Sequence, residues 1–496
     1  MAQQKFNLEQ AGDYQLDKCE LISYRKNDEN KLIRVDVIPI IVNIELTEDI
    51  NSNNMVGVVS VFDTQDIRSV LPITGLEKLA LKFSTSGMPD QGVNADDESG
   101  GYPFQVYKID SISLQERQGR AQVYRIFFCS QEAYFDSISR VSRAYDGPIE
   151  NAIIDIFQNK KFLNSKKPLI YEPTKSNVKV VIPNLRPYEA INWMSCHTEP
   201  SKYSNASGYH FYETPKGWFY RSLESMLGIY GVGARPPVWN YQYQSANTRD
   251  DKGLKTVEKD MHSVFKYDFK KPVNTLFNLR EGMYCSKLLI HDAFNKIFKE
   301  LDFNYHNDFD KKLHTEVADD GAPYTGNNKY SLPNTKWEDT NKTLTDNPDA
   351  YTMFSSNTDK IHDKNKVIGK KMVQGLISQM MAMNSIQLDL LVPGNSLIQA
   401  GDIIEFDLPV MRPLGEKRQE TNPWYSGRYL VMSIKHNISQ VDGMYQMTLK
   451  CHKDALMTPF EAETENTELE VPDNKGKQVS LYDIDYRSLN EQDPTA

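Results

Sequence analysis

Two stretches of this chain, more than three hundred residues apart, spell the same order of strand signals, and such an echo constrains the fold to two similar halves. In the first, Gly75-Leu76-Glu77 leads KLALKF; a loop follows, then PFQVYKIDSISL, a polar turn, and VYRIFFCSQEA ending at Ala133. In the second, Gly401-Asp402 leads IIEFDL, then come a loop, GRYLVMSIKHNI, a polar turn, and MYQMTLKCHKDA ending at Ala455. The two spans are 58 and 54 positions, and Cys129 and Cys451 each stand at the end of the last strand with an alanine four residues on. Val, Ile, Tyr and Phe between Gly, Asp and Asn turns are what half-buried strands require. Two related β-barrels on one chain are the expectation.

The 496 residues exceed what a single hydrophobic core organises, and roughly 150 residues per domain suggests about three. The fold class expected is α+β and β-rich: two tube-like β-barrel domains, an inserted mixed α/β domain and a C-terminal extension. Residues 1–19 read as an N-terminal extension, 20–133 as the first barrel and 134–227 as the α/β domain. Residues 228–303 read as a linker and the start of the second barrel, 304–366 as a polar insertion, 367–460 as the second barrel and 461–496 as an acidic tail. Within the α/β domain, Ile149, Ile153, Ile156 and Phe157 recur at helical steps after Gly147-Pro148, and a second helix is predicted over 187–196. YHFYE and GWFYRSL around Pro215-Lys216 form a hairpin signal. MYCSKLLIHDAFNKIFKEL gives a helix signal, as do Val373, Leu376, Ile377, Met380 and Met381, whereas 228–255 and 304–366 are turn-rich and polar and read as loops.

Charge narrows the function. The net charge is −10, and 461–496 holds ten Asp/Glu against three Lys/Arg, so the rest of the chain is close to neutral. Phosphate gripping draws on Lys and Arg, so nucleic-acid capture is disfavoured. No stretch approaches the 18 to 20 apolar residues of a membrane span, and no signal peptide opens the sequence. Cys19, Cys129, Cys196, Cys285 and Cys451 are scattered without a CxxC or a disulfide framework and read as small buried residues in a reducing compartment.

Catalytic signatures are missing: there is no GxxxxGK[ST], GxSxG or HExxH, and Gly231-Val232-Gly233 lacks the third glycine of a dinucleotide loop. Cys196-His197 has the residue types of a nucleophile and base, but neighbours on a helix point apart. His291-Asp292 and His436 read as structural, and nine histidines without ligand spacing give no zinc site. No enzyme activity, cofactor or metal is expected. In the tail, Tyr482, Ile484 and Tyr486 alternate with Asp483 and Asp485, and these three apolar residues are candidate partner-docking positions by strand addition, with a solubilising tail as the alternative.

The run VVSVFDTQDIRSVLPITGLEKLALKF, followed by FQVYKID and YRIFFCSQEA, resembles the N-terminal domain of the baseplate hub proteins of long-tailed phages, the T-even-type tail hub family. VIPNLRPYEAINWM, GYHFYETPKGWFYRSLESM, GMYCSKLLIHDAF, PGNSLIQAGDIIEFDLP and SGRYLVMSIKHNI are similar to later segments of that family in the same order, over roughly 20–300 and 366–457. The resemblance implies a homotrimer around a channel, in which two barrels per chain give a pseudo-sixfold ring. Such a ring adapts a hexameric tail tube or tube-initiator protein to a threefold central spike, beside baseplate wedge proteins and the tape measure protein. DNA would pass through without specific binding, along a neutral or acidic lumen. The location implied is the virion, with assembly in the bacterial host cytoplasm. Two alternatives are the tube-like part of a bacterial contractile injection or type VI secretion spike, and a tail-tip cell-wall hydrolase built on paired carboxylates.

Overall fold

Burial alternates residue by residue along strands of both the N-terminal and the C-terminal parts of the chain, as in Val56–Asp63 and Met444–Lys453, so each strand offers one apolar face to a common core. The computed structural model describes residues 10–71, 73–114, 121–175, 177–203, 206, 208–243, 257–271, 274–292, 296–309, 312–316, 351–355, 370–409, 421–422 and 424–454.

The first β module comprises β1 (Tyr14–Lys26), β2 (Leu32–Asp36), β3 (Ile41–Asp49), β4 (Val56–Asp63), the short α1 (Ile67–Val70), β5 (Lys78–Thr85), β6 (Val93–Ala95), β7 (Phe104–Leu114) and β8 (Gln122–Cys129). The α/β module follows with α2 (Gln131–Ile138), β9 (Ala144–Pro148), α3 (Ile149–Gln158), β10 (Leu169–Tyr171), β11 (Asn177–Val181), α4 (Pro187–Ser195), β12 (Tyr209–Thr214), β13 (Gly217–Ser222) and α5 (Leu223–Leu227). Next come β14 (Gly228–Ile229), β15 (Gly233–Ala234), β16 (Trp239–Gln242), α6 (Val257–Met261), β17 (Lys266–Lys271), α7 (Thr275–Arg280), β18 (Cys285–Asp292), β19 (Ile297–Asn304), α8 (Tyr305–Phe309) and β20 (Tyr351–Ser355). A π-helical turn, Lys370–Gly375, leads into α9 (Leu376–Met383), and β21 (Ile386–Pro393), β22 (Ile403–Asp407), β23 (Gly427–Ser439) and β24 (Met444–Lys453) close the described chain.

The predicted echo is present in the topology. In the first module the strands neighbour one another as β3-β4-β8-β7-β5, and in the second as β17-β21-β24-β23-β22, all pairs antiparallel. Finer marks agree. The fourth strand of each set, β7 and β23, bulges by one residue, at Tyr107 and at Met432, directly after its pairing with β5 or β22 ends, and β7 shifts once more between Asp110 and Ser113. At the start of β5 and of β22, Val106 N–H donates to the Glu77 carbonyl and Val431 N–H to the Asp402 carbonyl, each at 2.9 Å. The same two acids turn back on their own loops: Glu77 accepts the N–H groups of Thr74, Gly75 and Leu76, and Asp402 accepts that of Gln399. The register sets Glu77 against Asp402 and Cys129 against His452. The cysteine and glycine correspondence expected from the sequence is therefore out by one residue, because strings alone do not show which residues face each other across paired strands.

Among the described residues the two sets do not stand as separate barrels. They belong to one sheet of fourteen strands, joined where β3 pairs with β23, and they share one apolar core in which Leu46, Val59 and Phe83 pack with Leu390, Val431 and Leu449. Edge pairing continues the sheet across the boundary, so burying one set's apolar face also covers part of the other's. The architecture is α+β and β-rich. The α/β module has its own core of Ile153, Ile156, Phe157, Ile191 and Trp218, with helices α3 and α4 where the 3.6-residue period placed them and the β12–β13 hairpin where Pro215-Lys216 placed it.

Several expectations fail for identifiable reasons. Cys285–Asp292 and Ile297–Asn304 pair antiparallel as β18 and β19 and are not helical: Ser286, Leu288 and Ile290 are buried in alternation with Lys287, Leu289 and His291, and β20 adds in parallel to β18. The same apolar residues fit both periods, and the partner that decides between them lies sixty residues on. The segment read as loop over 228–255 contains β14, β15 and β16, the last paired in parallel with β22, and the polar 304–366 stretch contributes α8 and β20. Residues 317–350 and 356–369 lie outside the described residues, as does the tail 461–496.

Candidate functional site

The seam between the two β sets is where polar chemistry is most heavily invested. Ser433–Ser439 of β23 faces Asp49–Asn43 of β3, and Glu48 is completely buried there. A carboxylate out of water needs partners on both oxygens. Glu48 Oε1 lies 3.1 Å from His436 Nε2, and its Oε2 accepts the Ala400 N–H at 3.3 Å. The other ring nitrogen of His436 lies 2.7 Å from the Tyr445 hydroxyl. Ser433 Oγ donates to the Glu48 carbonyl, the Ile50 N–H donates to the Met432 carbonyl, and at the rim Lys435 Nζ stands 3.0 Å from Glu45. The structural reading of His436 thus has a specific content: it ties β3 of one set to β23 and β24 of the other.

A second buried knot fastens the α/β module to the first β set. Lys167 Nζ lies 2.5 Å from Glu213 of β12 and 3.1 Å from Glu132 of α2, while Glu213 also accepts from the Met55 N–H and the Ser130 hydroxyl. Burial by itself pushes the Lys167 ammonium down, but the two carboxylates outweigh it and raise it to about 12. Burial pushes the Glu213 carboxyl up, with Lys167 opposing. These are two carboxylates bridged by an ammonium, an arrangement that holds elements together and offers no pair facing a sugar.

Cys196 is exposed and opens, with His210, onto a cleft of about 250 Å³. Burial of its sulfur raises the thiol, and burial lowers the His210 ring to about 4. Both shifts run against a thiolate–imidazolium pair. The Cys196 thiol donates to the Asn192 carbonyl, and His197 packs edge-on against Trp193. His291 is exposed on β18. Among the described residues no cluster of three His, Cys, Asp or Glu is placed to hold a metal, and no helix is long and apolar enough to cross a membrane. Tyr482, Ile484 and Tyr486 lie outside the described residues. Sequence reasoning missed Glu48 and Lys167, whose partners are 388 and 46 positions away. The one local signal for Glu48 was a charge at an inward position of an alternating strand.

No family model and no curated protein matches this chain. Among solved structures, the 43 kDa tail protein of prophage MuSo2 from Shewanella oneidensis superposes with a TM-score of 0.50 at 8% identity, covering 89% of this chain and 99% of that one. The fold is one that a prophage tail protein shares. A tail protein from Neisseria meningitidis MC58 gives a TM-score of 0.48 at 10% identity over 90% and 98% of the two chains. A component of the type VI secretion system of E. coli gives 0.38 at 8% identity over 84% and 77%.

Proposed function

We propose that this chain is the structural hub of a phage tail: a trimer in which six related β sets ring a channel, adapting a hexameric tube to a threefold spike and passing DNA during ejection. The observation that carries this reading is the pair of like-connected five-stranded sets joined edge to edge. A trimer presents six similar surfaces only when each subunit holds two, and a joint already made within the chain fixes the step from one set to the next. The prophage tail-protein fold supports it. In this reading 20–133 and 367–460 are the tube-like domains, the lumen is neutral or acidic so that DNA slides without binding, and Tyr482, Ile484 and Tyr486 dock a neighbouring tube or spike protein. Wedge and tape measure proteins are the remaining partners.

Light scattering on the full chain after size exclusion tests it. The expected mass is three times the 57.0 kDa of the chain. A monomer or dimer persisting at tens of micromolar would count against a trimeric ring.

A further inference from the structure

The joint inside the chain is a template for one that the chain cannot make by itself. β23 is used on one side in two halves: Gly427–Leu430 pairs with β22, and Ser433–Ser439 pairs with β3. By the shared topology β7 is the counterpart of β23, and β17 the counterpart of β3. β7 meets β5 at Phe104 and Gln105 only, yet its other side follows β8 as far as Leu114. Beyond the bulge at Tyr107, no strand among the described residues lies on the β5 side of β7. β17 pairs with β21 on one side and, among the described residues, with no strand on the other; it ends the path of the sheet. Each β set therefore has a donor edge and an acceptor edge, and among the described residues one of each is paired within the chain.

The two unused edges are separated by the six strands β21, β24, β23, β3, β4 and β8. At about 4.8 Å per strand spacing, that is on the order of 30 Å along the sheet. Unpaired strand edges are templates for another chain. We propose that residues 108–114 of β7 in one subunit pair antiparallel with Lys266–Lys271 of β17 in a second copy of this chain, in the register of the β3–β23 joint. This rests on the ring reading above and says which strands make it. The contact is head-to-tail, so it closes into a ring where the rotation allows and runs on as a fibre where it does not.

Beyond the second shift of β7, between Asp110 and Ser113, the register of the joint can be transferred. Asn437 pairs with Glu45 across the in-chain joint. Asn437 also faces Gln446, and Ser113 occupies the corresponding place against Val123. Glu45 faces Val58, and Asp268 the corresponding place against Asp389. Position 113 of one subunit thus falls opposite position 268 of the next.

The test is disulfide trapping in the full chain carrying Ser113→Cys and Asp268→Cys, with the exposed Cys196 changed to serine, read on a denaturing non-reducing gel beside the mass in solution. The expected result is covalent species that stop at three chains, with neither single cysteine variant cross-linking. A trimeric mass without cross-links overturns the strand pairing and leaves the ring reading standing. A monomeric mass without cross-links removes both, whereas a ladder running past three supports the pairing and refutes threefold closure. Hydrogen exchange on the unsubstituted chain guards against a variant that misfolds. Amides of 108–114 and 266–271 should exchange about tenfold or more slowly in the assembled form than after dilution to monomer, and equal rates overturn the proposal.

Discussion

Lys167 is the residue on which the largest single effect should fall. Replacing it with methionine leaves Glu132 and Glu213 buried without their cation, and breaking a buried pair in this way costs about 3–5 kcal/mol. The Lys167→Met chain should unfold at markedly lower denaturant at pH 7; a midpoint within error of the unsubstituted chain would refute the knot. Its pH dependence has a definite sign. The ammonium is raised from 10.5 to about 12 in the folded state, so its contribution is complete below pH 10.5 and is lost as pH climbs through about 12. The gap between the two chains should therefore narrow over that window in alkaline melts. The matched acids Glu77 and Asp402 give a graded comparison. Glu77 accepts three backbone N–H groups and Asp402 one, and burial already pushes the Asp402 carboxyl up. Glu77→Ala should cost about 1–3 kcal/mol and Asp402→Ala less, by denaturant titration of each; the reverse order would contradict their shared role. Neither acid's function could be read from the sequence, since a carboxylate turning back on its own loop looks like any charged residue at a strand entrance.

Legibility at the level of the element depended on where the deciding partner lies. α3, α4 and the β12–β13 hairpin were readable because an amphipathic period, a proline at the first helical turn and a two-residue turn are local instructions. The β18–β19 pair and the strand Trp239–Gln242 were not, because β20 and β22 complete them from far along the chain. β4 shows how tightly such distant elements fit. A Cβ on Gly57 would meet the Phe128 ring at 2.2 Å and the Glu45 carbonyl at 2.6 Å, so β3, β4 and β8 approach with no room to spare. Gly57→Ala is expected to destabilise by about 1–3 kcal/mol, as overpacking does, measured by thermal or urea unfolding. An unchanged stability would mean that the two strands flanking β4 are less closely held than this geometry requires.

At the largest scale the first and last β modules read as one sheet built twice, with the α/β module holding a core of its own. The repeat was visible in the order of strand signals, and its five-stranded extent, with β3 and β17 as matching outer members, became visible only in the pairing. What the sequence could not convey is that the two sets meet edge to edge at the β3–β23 seam, sealed by Glu48, His436 and Tyr445, and so specify a step from one set to the next within a single chain. In the proposed ring, repeating that step between chains would let three subunits imitate six. Electron microscopy of the purified full-length assembly, viewed down its axis, tests this most directly. The account predicts a ring whose projections carry a strong sixfold component near the channel over a threefold outline; a threefold ring with no sixfold component at the channel, or no ring at all, would contradict it.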